Sequence, residues 1–253
     1  MGLTLVKTLQ ANPNATLTAG SERPGYDENA VKTQLETVGC KHLFVTSDID
    51  TFVNQADAII DFTSPDYSLA LAKIAAKYKR IHIIGTTGFT DTQYQELAVS
   101  AQTARIVQSG NFSLGVNLLE KLVEQAAELL DASYDIEIFE MHHKHKKDAP
   151  SGTALMLGNA AAKGRAVTLT DKKVTSRDGI TSERKSGDIG FSVQRGGDVV
   201  GIHTVTLAGP GEIIELKHQG FSRDIYAHGA LRAALWAQDK QAGLYSMKNV
   251  LGL

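Results

Sequence analysis

ADAIIDFTSPDYSLALAKIAAKYKRIHIIGTTGF, residues 56–89, contains the pattern from which the fold class can be predicted. Two short apolar runs, each ending in a polar loop, flank a segment with apolar residues at helical spacing. The same order recurs over residues 91–130, where the strand-like RIVQSGNFS lies between two helical segments. Strands that alternate with helices are typical of parallel sheets with crossover helices. The sequence therefore predicts a doubly wound α/β domain of Rossmann-like type.

After Phe112 the pattern changes to strands that follow one another with little helix between them. The strand-like segments are residues 134–143, 188–209 and 212–220. The one helical segment among them is residues 151–164. This order predicts an α+β domain with an open mixed or antiparallel sheet. Residues 221–240 return to helix, which suggests that the chain closes on the first domain. We predict a dinucleotide-binding domain of residues 1–112 plus 222–253, and an inserted substrate-binding and oligomerisation domain of residues 113–221.

Composition limits the classes of function. The 253 residues carry 26 Lys+Arg against 28 Asp+Glu, a net charge of −2, so no overall basic field attracts nucleic acid or an anionic membrane. No apolar run approaches the length of a membrane span. The single Cys40 excludes an internal disulfide and is typical of a reducing compartment, so a cytoplasmic protein is expected.

Polar and glycine-rich loops follow the predicted strands of the first domain. In open α/β sheets the ligand binds at these carboxyl ends. Glu22 follows Gly2 by the interval expected between a dinucleotide-binding glycine and the acid that binds the adenosine ribose. Arg23 can accept a ribose 2′-phosphate, so both NADH and NADPH are expected as cofactors. The predicted cofactor-binding residues are Gly2, Glu22, Arg23, Phe62, Gly85, Thr86, Thr87, Ser109, Gly110, Asn111 and Phe112.

A strongly basic loop, EMHHKHKKDAPSGTA, occupies residues 140–154. A metal site is disfavoured because adjacent histidines on an extended segment point to opposite faces and the nearby lysines repel a cation. A nucleic-acid surface would need interleaved aromatic residues, which are absent here. A solvated turn and an anion-binding cradle remain as alternatives.

The end of this loop favours the cradle. Ser151 or Gly152 can cap a helix that starts near Thr153, where free backbone N–H groups bind anions. Several cations close to such a helix start predict a site for a small dicarboxylate. His142 and Lys146 can also deliver a proton, because both are donors when charged.

The motif EMHHKHKKDAPSGTAL resembles the signature of the 4-hydroxy-tetrahydrodipicolinate reductase (dihydrodipicolinate reductase) family. The resemblance extends through DFTSP, IGTTGF, NFSLGVNLL and GDIGFSVQRGGDVVGIHTV to GLYSMKNVLGL at the end. It implies NAD(P)H-dependent reduction of 4-hydroxy-tetrahydrodipicolinate to tetrahydrodipicolinate in lysine and diaminopimelate biosynthesis, by a homotetramer. It assigns acid–base roles to His142 and Lys146, and substrate contacts to His143, Ser151, Gly152 and Thr153. It also implies cofactor contacts for the strand-end loops. Which of His142 and Lys146 gives the proton stays open.

The start of the chain departs from the family pattern. Met1-Gly2 stands where a first strand and a G-x-x-G-R loop are expected, so weak cofactor binding is predicted. Two alternatives therefore remain: a homologue that keeps the substrate domain without cofactor binding or activity, and another two-domain NAD(P) amino-acid dehydrogenase.

Overall fold

The structure, a computed structural model, describes residues 1–253, which form two compact units. Unit 1 comprises Met1–Ser113 and Arg223–Leu253, and unit 2 comprises Leu114–Ser222. Each junction lies one residue from the position predicted from the sequence. Because unit 1 contains both ends of the chain, unit 2 is an insertion within unit 1. No helix combines the length and the apolar character needed to cross a membrane.

Unit 1 contains seven helices, one short 3₁₀ turn and six strands, numbered in chain order. The helices are α1 (Gly2–Gln10), α2 (Glu28–Glu36), α3 (Ile49–Asn54), α4 (Pro65–Lys77), α5 (Asp91–Ser100), α9 (Asp224–Trp236) and α10 (Met247–Leu251), and the 3₁₀ turn is Ala237–Asp239. The strands are β1 (Ala19–Ser21), β2 (Phe44–Thr46), β3 (Ala58–Asp61), β4 (Ile81–Ile84), β5 (Arg105–Gln108) and β11 (Gly243–Tyr245).

The strands of unit 1 form two parallel sheets. One has four strands in the order β11-β5-β4-β3, and the other consists of β1 and β2. All four residues of β4 are buried, which is typical of a parallel strand covered on both faces. The prediction of parallel strands joined by helices is confirmed. β1 and β2 are not hydrogen-bonded to the other four strands.

A groove of about 1240 Å³ is lined by both β1 and β3. The N-terminal residues of α1 also line it, together with part of α9. The groove therefore lies where the two sheets of unit 1 are not joined by backbone hydrogen bonds.

Unit 2 consists of a mixed five-stranded sheet and three helices. The strands are β6 (Asp135–His142), β7 (Lys173–Val174), β8 (Ile189–Arg195), β9 (Gly201–Gly209) and β10 (Glu212–Gly220), and the helices are α6 (Leu114–Leu129), α7 (Gly152–Gly164) and α8 (Leu169–Lys172). The order is β10-β9-β6-β8-β7, so β6 lies in the middle, parallel to β8 and antiparallel to β9. Of the two predicted alternatives, a mixed and an antiparallel sheet, the structure shows the mixed one.

Burial alternates strictly along β6, so one of its faces points into the core. Ile136 and Ile138 on that face pack with residues of α6, α7 and β9 in one apolar cluster. The next two residues on the same face, Glu140 and His142, are also buried. The buried face of the central strand thus changes from apolar to polar at its carboxyl end.

Candidate active site

Glu140 is the central residue of the polar cluster at the end of β6. Its side chain is completely buried, and its two carboxylate oxygens accept hydrogen bonds from four N–H groups. Arg195 donates from Nη1 at 2.9 Å and from Nη2 at 3.0 Å. The backbone N–H of Ser151 donates at 2.9 Å, and Nδ1 of His142 lies 2.5 Å from Oε2. Burial raises the pKa of Glu140, but these donors together bring the pKa below its usual value, so the side chain is a carboxylate.

His142 is held by this carboxylate in a buried position. Burial lowers the pKa of its imidazole, and the charges of Lys146 and Arg195 lower it further, while Glu140 raises it in part. The net direction is downward, so the ring is neutral at neutral pH. Since Nδ1 is bonded to Glu140, the ring nitrogen that is left for a substrate is Nε2.

The start of α7 is fixed to the same cluster. Ser151 caps the helix, as predicted, and its hydroxyl accepts from the Ala154 N–H at 3.2 Å. The same hydroxyl lies 3.2 Å from Nε2 of the buried His203, which accepts its proton when that nitrogen carries the lone pair. Gly152, the first residue of the helix, is exposed. The first turn of this helix therefore begins at an exposed surface.

Lys146 is the loop cation with a defined partner. Its Nζ lies 2.8 Å from Oδ1 of Asp148. This hydrogen bond is the largest cause of the lowered pKa of Asp148, and a backbone hydrogen bond from Gly152 contributes to it. A carboxylate thus already lies against Lys146 and the start of α7, where the sequence predicted an anion-binding cradle.

The remaining substrate-binding predictions lie at the edge of the cluster. The ring of His143 packs beside His145, with centroids 6.2 Å apart, and not against Glu140. Thr153 is half-buried in the first turn of α7. The two adjacent histidines therefore have different surroundings, as expected for an extended segment.

Glu140, His142 and His203 form a group whose ligand-type atoms lie within 4.8 Å of one another. A metal site was disfavoured from the sequence, and in the structure Glu140 adds a carboxylate to two histidines. Both of its oxygens are nevertheless bonded to Arg195, whose positive charge opposes a cation at this position. The geometry fits a hydrogen-bond network better than a metal centre.

The predicted cofactor-binding residues fall into two groups in unit 1. Gly2, Glu22, Arg23 and Phe62 line the groove described above. The others lie in the loops after β4 and β5: Gly85, Thr86 and Thr87, and Ser109, Gly110, Asn111 and Phe112. The two groups meet at Phe62.

Phe62 joins these loops by packing. Its ring stands edge-on to Phe112 at 5.7 Å, and a Cβ on Gly85 would lie 2.2 Å from it. The loop after β5 is closed by Ser109, whose hydroxyl donates to the Asn111 carbonyl at 2.8 Å. The side chain of Phe112 is buried, so its role is to support the loop.

A network of hydrogen bonds connects the loop after β3 with the loop after β4. The buried Asp61 accepts from the Thr63 N–H at 3.0 Å and from the Ser68 hydroxyl at 2.5 Å. The buried Thr86 hydroxyl accepts from the same Thr63 N–H at 3.0 Å. His82, also buried, lies 3.3 Å from Asp61. Thr86, like Phe112, therefore holds the loops together through its side chain.

The groove residues fit a nicotinamide dinucleotide. Glu22 lies directly after β1, where its carboxylate can accept from ribose hydroxyls. Arg23 beside it is exposed and can bind a phosphate in a bidentate manner. The groove thus provides a carboxylate and a guanidinium for the polar parts of the cofactor.

Three residues of the substrate unit were missed by the sequence analysis as site residues: Glu140, Arg195 and His203. Glu140 was part of the quoted motif, and its spacing of two from His142 on a strand indicates a common face. Arg195 lies opposite His142 on β8, and His203 lies opposite Glu140 on β9. Such long-range pairs have no local signal in a single sequence.

Comparison with known families covers nearly the whole chain. The profile for "Dihydrodipicolinate reductase, N-terminus" matches residues 1–112, and that for "Dihydrodipicolinate reductase, C-terminus" matches residues 115–251. A 4-hydroxy-tetrahydrodipicolinate reductase of Dinoroseobacter shibae is 51% identical, and one of Allorhizobium ampelinum is 53% identical. Each alignment covers 100% of this chain and 94% of the relative.

Solved structures agree on the fold. A dipicolinate-bound dihydrodipicolinate reductase from Paenisporosarcina sp. TG-14 superposes with a TM-score of 0.75 at 22% identity, covering 98% of this chain and 95% of that one. A probable dehydrogenase from Thermotoga maritima gives a TM-score of 0.61 at 11% identity, covering 98% and 88%. The chain therefore belongs to the dihydrodipicolinate reductase family, the reductases of lysine biosynthesis that use a nicotinamide dinucleotide.

Proposed function

We propose that the cluster at the end of β6 and the start of α7 binds and protonates 4-hydroxy-tetrahydrodipicolinate during its reduction to tetrahydrodipicolinate. The reduction consumes one hydride and one proton and releases water. The hydride comes from the nicotinamide cofactor when it is bound. The residues of unit 2 then have to bind the two carboxylates of the substrate and to transfer the proton.

The carboxylates are assigned to the loop and helix start. Lys146 and the Gly152 N–H already bind the carboxylate of Asp148, so a substrate carboxylate can replace Asp148 there. His143 and Thr153 stand in the same segment and are proposed to contact the substrate. Ser151 acts through its backbone and hydroxyl, which fix the direction of the helix start.

The proton is assigned to Lys146. A neutral His142 has no proton to give from Nε2, whereas a lysine ammonium carries three. We propose that Lys146 protonates the ring carbon next to the one that accepts hydride. In the elimination of water that precedes this step, His142 Nε2 is available to take the proton from that same neighbouring carbon and to pass it to the departing 4-hydroxyl, which leaves as water.

The observation that carries this proposal is the convergence of Glu140, His142 and Ser151 at one helix start. The test is the rate of NADH oxidation with 4-hydroxy-tetrahydrodipicolinate as substrate. Lys146→Ala should lower kcat by about 10²–10⁴-fold, the usual contribution of general acid catalysis. Lys144→Ala, an exposed lysine in the same loop, serves as the matched control and should retain the rate of the parent protein.

Near-normal turnover by Lys146→Ala would remove Lys146 from the mechanism. Calorimetric titration with NADH separates the enzyme from a homologue that binds no cofactor. Turnover with the cyclic dicarboxylate separates it from a dehydrogenase of another amino acid.

We also propose that the chain uses both NADH and NADPH, with Glu22 and Arg23 at the adenosine ribose, and that it forms a homotetramer in the cytoplasm. Exposed Ile213 and Ile214 on β10, an edge strand of the unit 2 sheet, support self-association. The free, buried thiol of Cys40 is compatible with a reducing compartment.

A further inference from the structure

We propose that Glu140 and Arg195 are positioning residues that keep His142 in the tautomer with a proton on Nδ1, so that the lone pair is on Nε2. The inference rests on the proposed role of His142 in proton transfer. It concerns two residues that need not touch the substrate.

The geometry makes the carboxylate a fixed acceptor. Glu140 and His142 share the buried face of β6, and the contact between Oε2 and Nδ1 is 2.5 Å. An ionised carboxylate has only lone pairs to offer, so Nδ1 must carry the proton in this contact. In a neutral imidazole the other nitrogen, Nε2, then has no proton.

Arg195 keeps the carboxylate in place and ionised. Its two Nη atoms bind both oxygens of Glu140, and Nη2 also donates to the Asp148 carbonyl at 2.6 Å. Nη1 donates to the Gln194 carbonyl at 2.6 Å. The guanidinium therefore ties Glu140 to the end of β8 and to the basic loop, and the planar fork fixes the orientation of the carboxylate.

The residue that faces Nε2 has no side chain. Gly201 faces it, and a Cβ at this position would lie 3.1 Å from Nε2. The ring of His203 stands edge-on to His142 at 5.0 Å. The charged or titratable groups that act on His142 are thus Glu140, Lys146, Arg195 and His203.

A carboxylate held by an arginine can also be purely structural, and β6 offers a comparison. Glu137, on the opposite face of the same strand, is bound by both Nη atoms of Arg177 at 3.0 Å. This pair has no histidine. Glu137→Gln is therefore a matched control for Glu140→Gln, since both changes remove the charge of an arginine-bound glutamate on β6.

The experiment combines kinetics with ¹⁵N NMR of the histidine rings in the full-length chain. Comparison with His142→Gln assigns the His142 signals. We expect the parent protein to show a protonated Nδ1 and a lone-pair Nε2 at neutral pH. Glu140→Gln should lose this preference and lower kcat by about 10²–10⁴-fold, while Glu137→Gln should change neither.

Arg195→Lys is the second variant, for the case that Glu140→Gln does not fold. It keeps the positive charge but loses the fork, so a folded Arg195→Lys should show a mixture of tautomers and a lowered kcat. A protonated Nε2 in the parent protein, or an unchanged kcat and tautomer in the folded variants, would overturn the inference. If His142→Gln itself keeps its turnover, the proposed function of His142 fails instead.

Discussion

His203 makes the stability of the protein dependent on pH in a way that can be calculated. It is buried, with 4% exposure, on β9. Burial, and next the nearby His142, lower its pKa from 6.5 to about 3. The change we consider is His203→Gln, which removes the titrating ring and keeps an amide oxygen to accept from the Ser151 hydroxyl.

The sign follows from the direction of the shift. The unfolded chain binds a proton at His203 below pH 6.5, whereas the folded protein does so only near pH 3. Stability is therefore full above pH 6.5 and is lost as the pH falls toward 3. Each pH unit in this window costs about 1.4 kcal/mol, so at pH 5 the unfolding free energy should be lower by about 2 kcal/mol than at pH 7.

The assay is urea unfolding of the parent protein and the variant at pH 7, 6 and 5. The loss between pH 7 and pH 5 should be smaller in His203→Gln by about 2 kcal/mol. His228→Gln, an exposed histidine on α9, should leave the loss unchanged because its ring is in water in both states. Parallel curves for the parent protein and His203→Gln would refute the reasoning.

Three further changes test unit 1. Gly229→Ala should lower the unfolding free energy by about 1–3 kcal/mol in urea unfolding, because its Cβ would lie 1.7 Å from the Phe112 carbonyl oxygen; an unchanged midpoint would contradict this packing. Gly85→Ala should weaken NADH binding in calorimetry, because its Cβ would push the Phe62 ring away; unchanged affinity would show that this ring does not shape the site. Arg23→Ala should weaken NADPH more than NADH, because only NADPH carries the 2′-phosphate, and equal losses would show that Arg23 does not bind that phosphate.

The sequence predicted the parts of the fold in which a local pattern is long enough to read. The apolar runs of β3, β4 and β5 and the helical spacing of α4 indicated parallel strands and their crossovers. The three-residue strands β2 and β11 are too short to show alternation, and β11 pairs with a strand far away in the chain. The polar helix α2 is marked by its Asp27 cap, which accepts from the backbone N–H groups of Asn29 and Ala30. That cap was not recognised.

The candidate site was predictable to a similar extent. The sequence of residues 140–154 predicted a cationic loop and a helix start, because both are local features. The pairing of Glu140 with Arg195 depends on the register of β6 against β8, which a single sequence does not contain. The same holds for His203 on β9, whose register partner on β6 is Glu140.

The central place of β6 in its sheet has a consequence for local opening. Strands with neighbours on both sides exchange their amide hydrogens only when the surrounding structure unfolds, whereas short sheets at an edge open at much lower free energy. Glu140 and His142 are attached to such a strand, so their geometry should persist until unit 2 unfolds. The β1–β2 pair beside the groove consists of three residues in each strand and should exchange early. Glu140 and His142 would then lie on the most protected strand of unit 2, whereas Glu22 follows one of the least protected strands of unit 1.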